Sequence, residues 1–339
     1  MIHASCIDHA RGRLVLTAHL FDQRVGKPVT DWEAASRGLS ETQILWVDVT
    51  APTADDARQI RDAFALQEED PRHHDPHRTR PELSQRETYL RVTAIAAPRM
   101  KGDSLTTPVV LESFVGANWL VTVHSDELEV IDNFRDVADG AGELGVLDAA
   151  SFLATLLEWV VVSYARAFDD IEQTLERFDT QVLANPDRQV EKEVALLVDA
   201  RRRVGVLRRG LEPHRELFAE LSHAEFDLVS TETSASRFSQ LAERVDKGLT
   251  AARDVKESVV NSFDMLILRT EHRTNEIVKV LTLTSILLLP GSLIAGLMGM
   301  NVNLTLGEFQ SSALFWGVIV AVVIIAGTTL VLARVRHWV

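Results

Sequence analysis

The sequence contains a single cysteine, Cys6, among its 339 residues. One thiol cannot form an internal disulfide, and it cannot supply a cysteine-rich metal site. The sequence also lacks a Ser-His-Asp pattern, a glycine-rich phosphate loop and a carboxylate pair suited to acid–base catalysis, so we do not expect an enzyme. The net charge of −14 argues against nucleic acid as a partner and is compatible with the attraction of cations.

A secretory signal is also missing from the N-terminus. Residues 1–14 carry charge at Asp8, Arg11 and Arg13, and they contain no apolar stretch of the required length. The first 276 residues hold only short apolar runs that charged residues interrupt. We therefore expect this large part of the chain to be water-soluble and to stay in the cytosol.

Two long apolar runs lie close to the C-terminus. Residues 277–297 are charged only at Lys279, and residues 313–333 carry no charge. A run of about 20 apolar residues is long enough to cross a bilayer core of ~30 Å as a helix. The sequence therefore predicts a two-helix transmembrane hairpin, with residues 298–312 between the two spans.

The charges that flank the hairpin predict its orientation in the membrane. The loop has no Lys or Arg, and Glu308 is its one acid, whereas both flanks are basic. The flanking basic residues are Arg269, Arg273, Lys279, Arg334, Arg336 and His337. Because positive charge favours the cytosolic side, we expect both termini, including the tail 334–339, in the cytosol of a cell with the hairpin in its cytoplasmic (inner) membrane.

Short β-rich segments alternate with helical patterns in the first part of the chain. Residues 44–50, 88–98, 109–116 and 119–124 are strand candidates, rich in β-branched residues and separated by Gly, Pro or Asn. Residues 54–66 and 126–138 have helical apolar spacing. We predict an α/β domain over residues 1–147, and the pattern does not fix the order of its strands.

Long helices are predicted from residue 148 to the membrane. One covers 147–183, and a second covers 190–221 with an interruption near Pro213. A third begins near Ser234 and has a near-heptad apolar seam, typical of coiled coils. The seam consists of Phe238, Leu241, Val245, Ala252, Val255, Val259 and Leu266. No proline intervenes before Pro290, so residues 148–276 predict a helix bundle and a stalk that continues into the first span. A kink or loop at residues 269–275 is the alternative.

One face of the first span mixes hydroxyl, small and aliphatic residues at intervals of three or four. They are Asn275, Val278, Leu281, Ser285, Leu289, Ser292 and Gly296. Polar groups in membrane helices normally face protein or water. Two helices cannot enclose a pore, so the hairpin is either an anchor with a packing face or one part of an assembly around an axis. The residues alone leave both interpretations open.

The segment KVLTLTSILLLPGSLIAGLMGMNV, with its short loop, second span and basic end, resembles the CorA family of magnesium transporters. The signature of that family is a Gly-Met-Asn triplet at the outer end of the first of two C-terminal spans. The resemblance is strong from RTNEIVKVLT onward and looser over the rest of the chain. It implies a homopentameric, funnel-shaped channel with an α/β cytosolic part, whose stalk helices line the pore and whose partners are other copies, lipid and divalent cations.

The resemblance also implies roles for individual residues. Gly299, Met300 and Asn301 would form the outer selectivity filter. The other pore-lining residues would be Asn275 at the cytosolic mouth, Val278, Leu281 and Leu289 at apolar constrictions, and Ser292 at a hydroxyl position. Ser285 is added as pore-lining because it lies on the same face of the helix. The transported ion would be Mg²⁺, with Co²⁺ or Ni²⁺ also admitted, and no organic cofactor is implied.

A regulatory metal site is implied as well. Family members are commonly shut by intracellular magnesium that acidic residues bind between protomers. Asp264 matches one such position on the stalk, and Asp70 is the first candidate for its partner, followed by Glu69 and Asp75. The alternative for Asp264 is an ordinary solvated acid on the flank of a coiled coil.

Two departures from the family pattern keep other functions open. Met298 replaces the aromatic residue that usually precedes the triplet, and the loop lacks an acidic Pro-Glu-Leu element. A zinc transporter of the related ZntB branch shares the architecture, although Met300 in the triplet favours magnesium. A membrane-anchored scaffold without transport is the third hypothesis.

Two further motifs have simpler explanations. His73, His74, Asp75 and His77 could suggest a zinc site, but adjacent residues in a proline-flanked loop rarely converge on one ion, so we expect a surface loop. The five arginines of VDARRRVGVLRRG are expected to pair with acids along a helix rather than to bind nucleic acid.

Overall fold

A computed structural model describes residues 15–22, 25–40, 42–67, 80–101, 104–126, 128–132, 135, 148–184, 190–223, 232–299 and 311–335. The chain divides into two compact units, Met1–Ser262 and Phe263–Val339. The first unit contains a β-sheet with helices on both faces. The second contains two long helical segments.

The sheet of the first unit has seven strands. In chain order they are β1 (Val15–Asp22), β2 (Val25–Pro28), β3 (Gln43–Thr50), β4 (Glu82–Gln85), β5 (Leu90–Ile95), β8 (Val110–Val115) and β9 (Trp119–His124). Their spatial order is β2-β1-β3-β9-β8-β5-β4, and β6 (Met100–Lys101) and β7 (Ser104–Leu105) form a separate two-stranded ribbon. Neighbouring strands are antiparallel except β3 and β9, which are parallel.

Two short helices, α1 (Trp32–Arg37) and α2 (Ala54–Phe64), cover one face of the sheet. Side chains alternate between the faces of a strand, so Leu45, Val47 and Val49 of β3 all face α2. They are buried in a core that includes Ile60 and Phe64 of α2. Thr53 starts α2 with a capping box in which it and Asp56 bond reciprocally to each other's backbone N–H groups, which fixes where the helix begins.

The long helix α3 (Ala149–Ala184) lies against the other face of the sheet. Phe152 packs edge-on against Phe21 with ring centroids 4.9 Å apart, and it also contacts Trp46 at 6.0 Å. Further along α3, the hydroxyl of Tyr164 donates a hydrogen bond to the backbone oxygen of Ile95 at 2.9 Å. The first unit is therefore an α/β/α layer structure, as the alternating sequence pattern predicts.

Helices α4 (Val190–Leu211) and α5 (His214–His223) follow α3, and His214 connects their junction to the sheet. The Nε2 atom of His214 accepts a hydrogen bond from the backbone N–H of Ile95 at 3.1 Å. Its Nδ1 atom lies 2.9 Å from the backbone oxygen of Gly210 and donates to it. Because both ring nitrogens are used in this way, the neutral imidazole with a proton on Nδ1 fits the site.

A largely buried polar network joins the neighbouring strands β3 and β9 to Arg135. Asp48 accepts hydrogen bonds from Thr122 at 2.5 Å and from Arg135 at 3.2 Å, and its carboxylate lies 3.2 Å from Nε2 of His124. Burial disfavours the charged form of His124, but the hydrogen bond and the charge of Asp48 outweigh it, so the pKa of His124 is raised above 6.5. The carbonyl of Asp126 adds to the increase.

The longest helix, α6, spans Glu232–Gly299 without a break and contains Pro290. The residues of the predicted heptad seam, from Phe238 to Leu266, are all buried. This continuity confirms the unbroken stalk and excludes a loop at residues 269–275 in the described chain. The last helix, α7, spans Ser311–Val335 and contains the whole second predicted span, 313–333.

Candidate functional site

The predicted pore-lining residues lie on one face of α6 in the second unit. Asn275, Ser285 and Ser292 are exposed in the single chain. Val278, Leu281 and Leu289 are 51%, 65% and 64% exposed. An apolar face of this length needs a cover, which must be lipid or protein.

The hydroxyl groups on this face use their protons within the helix. Ser285 donates to the backbone oxygen of Leu281 at 2.9 Å, and Ser292 donates to that of Leu289 at 3.0 Å. Each serine oxygen therefore keeps its lone pairs for an outside donor. The result is a face that offers acceptors without formal charge.

The opposite side of α6 approaches α7. A Cβ atom added to Gly291 would lie 3.8 Å from Cγ1 of Val322, which is ordinary van der Waals distance. At about 100° of rotation per residue, Gly291 lies about 140° around the helix from Val278. Helix α7 therefore packs on the side of α6 away from the serine-bearing face, and glycine permits the close approach.

Two helices of the described chain are long and apolar enough to cross a membrane, judged by length and composition. In the first, Ala149–Val182 within α3, 56% of the most apolar window is buried, as in the core helix of a soluble domain. In the second, Thr233–Ile294 within α6, none of that window is buried. Helix α7 contributes a shorter apolar stretch, Ile319–Thr329. Large apolar side chains of α7, such as Val320, Val323 and Ile324, are exposed as well. The unburied apolar surface therefore lies in both helices in which the sequence predicts the spans.

Pro290 affects the backbone in the middle of the apolar part of α6. It has no N–H to donate to the carbonyl of Ile286, four residues earlier. A backbone acceptor without its usual helical donor is tolerated at membrane depth only where protein or water can reach it. Pro290 thus fits a helix that borders a protein or water-filled space.

Several predicted site residues fall outside the described residues. These are Met300 and Asn301 of the signature, Asp70 with Glu69, and the histidine loop of His73, His74, Asp75 and His77. Gly299 is the last residue of α6. Asp264 is exposed on α6, and no group of three or more metal-ligating side chains occurs among the described residues. Of the five arginines in α4, Arg208 pairs with Glu212 at 3.8 Å, as the helical interpretation predicts.

The arrangement on α6 suits an ion that keeps its water. A bound Mg²⁺ gives up its hydration shell reluctantly, and the hydrogens of that shell point outward. Serine oxygens, amide oxygens and carbonyls accept from such waters, and aliphatic side chains between them can close a narrow path by dewetting. A large α/β unit with a hairpin that carries this face defines an integral membrane protein of the ion-transport class.

The chain belongs to the CorA-like Mg²⁺ transporter protein family, whose model matches residues 41–334. This match covers most of the chain and confirms the resemblance inferred from the Gly-Met-Asn signature. Members of the family are transport proteins, so the prediction that the chain is not an enzyme is confirmed too.

Known proteins similar to this chain include a curated cobalt/magnesium transport protein CorA of Methanocaldococcus jannaschii. It is 20% identical over 304 residues, which cover 89% of this chain and 93% of that protein. The complete structure of the CorA magnesium transporter from the same organism has a TM-score of 0.76 at 20% identity and covers 96% of this chain and 99% of that one. The predicted order of an α/β domain, long helices and a C-terminal hairpin is confirmed by this likeness.

Two other solved structures share the fold. The full-length CmaX protein has a TM-score of 0.72 at 19% identity, with 98% of this chain and 100% of that chain covered. The cytoplasmic domain of ZntB from Vibrio parahaemolyticus has a TM-score of 0.59 at 13% identity and covers 76% of this chain and 98% of that one. At such low identities these likenesses establish the fold alone.

Proposed function

We propose that this chain forms a channel for divalent cations, with Mg²⁺ as the main ion and Co²⁺ or Ni²⁺ as further ones. One observation carries the proposal: α6 has a continuous exposed face on which aliphatic residues alternate with hydroxyl acceptors. Family membership supports the choice of ion, because the family is one of Mg²⁺ transporters and a relative carries the name cobalt/magnesium transport protein.

The channel is a homopentamer in this proposal. One hairpin cannot enclose a pore, so copies must assemble with the serine-bearing face of α6 toward a common axis. The exposed face that Val278, Leu281 and Leu289 share with serine hydroxyls supports such an assembly, since polar groups in a membrane helix normally face protein or water rather than lipid. The approach of α7 to the opposite side of α6 supports it as well, because α7 would then face lipid.

Gly299, Met300 and Asn301 form the selectivity filter at the outer mouth in this proposal. Five amide oxygens of Asn301 would accept hydrogen bonds from the water shell of the ion without a charge that would trap it. Below the filter, Ser292 and Ser285 repeat the same chemistry with hydroxyl oxygens. The rings of Leu289, Leu281 and Val278 act as constrictions that close by dewetting, and Asn275 borders the cytosolic mouth.

The membrane arrangement follows from the flanking charges. Residues 277–297 and 313–333 span the cytoplasmic (inner) membrane, and 298–312 form the outer loop with the signature. Residues 1–147, 148–276 and the tail 334–339 lie in the cytosol. Basic residues on both flanks and their absence from the loop support this orientation.

Regulation by intracellular Mg²⁺ is part of the proposal. The ion would bind between Asp264 of one copy and Asp70 of the next and hold the pore shut. The exposed position of Asp264 on α6 supports its availability to a neighbouring copy. At low internal Mg²⁺ the site would empty, and repulsion between the acids would favour opening.

A zinc transporter is the second candidate, because the ZntB cytoplasmic domain shares the fold. The pore face of α6 offers Ser and Asn but no His, Cys or carboxylate between Asn275 and Gly296, and Zn²⁺ prefers such ligands when it loses water. The composition of this face therefore favours Mg²⁺.

Uptake by purified protein in liposomes tests the proposal. We expect wild-type protein to pass Mg²⁺ down an inside-negative potential and the variant Asn301→Ala to lose selectivity or most of its flux. The matched control is Asn118→Ala, an asparagine of the sheet unit far in sequence from the signature, which should leave flux unchanged. Equal flux in wild type and Asn301→Ala would refute the filter, and Zn²⁺-only flux would favour the second candidate.

A further inference from the structure

The exposed face of α6 continues for about two turns beyond Asn275 toward the N-terminus of the helix. At 3.6 residues per turn, Glu271 lies about 20° around the helix axis from Val278, and Ile267 lies about 20° to the other side. Both are therefore closer to the centre of this face than Asn275, which lies about 60° from Val278. The spacing of seven residues between Glu271 and Val278 produces this alignment, because a heptad drifts by only about 20° on a straight helix.

The buried seam of α6 ends at Leu266. Ile267 is 53% exposed, whereas the preceding residue, Leu266, is only 3% exposed. The large aliphatic side chain of Ile267 thus lies outside the buried seam, and the rotation of the helix places it on the same side as the pore-lining residues. In this respect it resembles Val278, which is 51% exposed.

Glu271 is exposed and has no ion-pair partner within the part of the chain that the structure describes. The residues three and four positions away are Ile267, Leu268, Thr274 and Asn275, and none of them is basic. The nearby Glu276 differs, because it lies 3.7 Å from Nδ1 of His272. It also lies about 160° around the helix from Val278, on the opposite side.

We propose that the conducting path extends below Asn275, with Ile267 as a further apolar ring and Glu271 as a ring of negative charge that sets the rate of cation passage. This inference rests on the proposed assembly of copies around α6. It adds two residues to the path that neither the signature nor the apolar run of the span indicates.

The charge of Glu271 has a clear physical consequence in such a path. Several carboxylates around one axis produce a negative potential that lowers the energy of a divalent cation twice as much as that of a monovalent one. A constricted path with low-dielectric walls strengthens the effect, and salt weakens it. Glu271 would therefore offset the cost for a hydrated cation to pass the neighbouring apolar ring of Ile267.

Neutralisation of this carboxylate tests the inference in the full-length protein in liposomes. We expect Glu271→Gln to lower the initial rate of Mg²⁺ influx about threefold at an ionic strength of about 0.01 M, where the Debye length is about 30 Å. The loss should shrink at about 0.15 M, where that length is about 8 Å. Glu276→Gln, the matched control on the opposite side of the helix, should leave the rate unchanged at both salt concentrations.

Cysteine accessibility provides a second measurement that does not depend on charge. In a Cys6→Ser background, the thiolate of Glu271→Cys should attack a cationic methanethiosulfonate reagent, form a mixed disulfide and release methanesulfinate. The bulky positive adduct should block Mg²⁺ influx, and dithiothreitol should restore it. Glu276→Cys should react without any change in flux.

The outcomes distinguish this inference from the function on which it rests. If wild-type protein passes Mg²⁺ but Glu271→Gln and Glu276→Gln have the same rates, with no block at Glu271→Cys, the extension of the path is wrong and the channel remains. If wild-type protein passes no divalent cation, both proposals are wrong.

Discussion

His214 lies in an environment very different from that of a free side chain in water. It is completely buried, and its ring joins the backbone of Ile95 in the sheet to that of Gly210 in α4. Burial lowers the pKa of His214 from 6.5 to about 4, against the smaller raising effect of its backbone hydrogen bonds. The sequence gives no sign of this role, because Ile95 and His214 are 119 positions apart.

The lowered pKa of His214 makes the stability of the folded protein depend on pH. Unfolded His214 takes up a proton near pH 6.5, whereas the folded protein resists it until about pH 4. The stabilisation is therefore complete above pH 6.5 and is lost as the pH falls from 6.5 toward 4. Protonation of Nε2 would also remove the acceptor for the N–H of Ile95.

We predict that His214→Phe lowers the free energy of unfolding by about 2–4 kcal/mol at pH 7.5, because two buried backbone groups lose their partner. The difference from wild type should become smaller between pH 6.5 and pH 4.5. Urea unfolding of the detergent-solubilised protein at several pH values measures both effects. His223→Phe, at an exposed position on α5, is the control. A difference that stays constant with pH would contradict the assignment.

At the scale of elements, α6 is largely determined by its own sequence. Its heptad seam, the absence of proline before Pro290 and its apolar end predict a stalk that continues into a span, and the helix Glu232–Gly299 agrees.

The sequence pattern predicts only some of the strands of the sheet. The pattern identifies β3, β5, β8 and β9, which are buried on both faces. It does not identify β1, β2 or β4, because edge and near-edge strands carry charged and polar residues that weaken the alternation.

The hairpin allows a test of how α6 and α7 pack. We predict that Gly291→Leu lowers the melting temperature in detergent by about 2–6 °C, because branches beyond a Cβ that is already 3.8 Å from Val322 would overlap α7. Gly327→Leu is the matched control, since nothing lies within 4 Å of a Cβ added there. Equal melting temperatures for the two variants would show that α6 and α7 do not depend on close packing at Gly291.

At the scale of the whole molecule, regulation is the property that most requires several copies. We predict that the double variant Asp264→Ala with Asp70→Ala keeps passing Mg²⁺ when the internal concentration is high, because the ion can no longer link neighbouring copies. Influx into liposomes preloaded with Mg²⁺ measures this. Asp254→Ala, another exposed acid on α6, should shut normally. Normal shutdown of the double variant would remove Asp264 and Asp70 from the regulatory site.

One part of the candidate site can be predicted from local sequence, and another part requires the structure. Spacing along one helix suffices to find the face that runs from Asn275 to Ser292, because a helix fixes the direction of each side chain locally. The same spacing extends back to Glu271 and Ile267. Both residues precede the apolar run, so the sequence pattern does not single them out. The structure adds that the helix continues unbroken through both residues and that Ile267 is exposed where the buried seam ends at Leu266.

The sequence by itself determined the two apolar spans, the seam of the stalk and the family signature, because each depends on residues within a few turns of one another. Only the tertiary structure decided that β3 lies beside β9, about 70 residues later in the chain, with β1 on its other side. It likewise decided that Asp48 meets His124 and Arg135, and that His214 reaches Ile95. Such contacts join distant segments, and their free energy depends on burial and partners that no local pattern encodes.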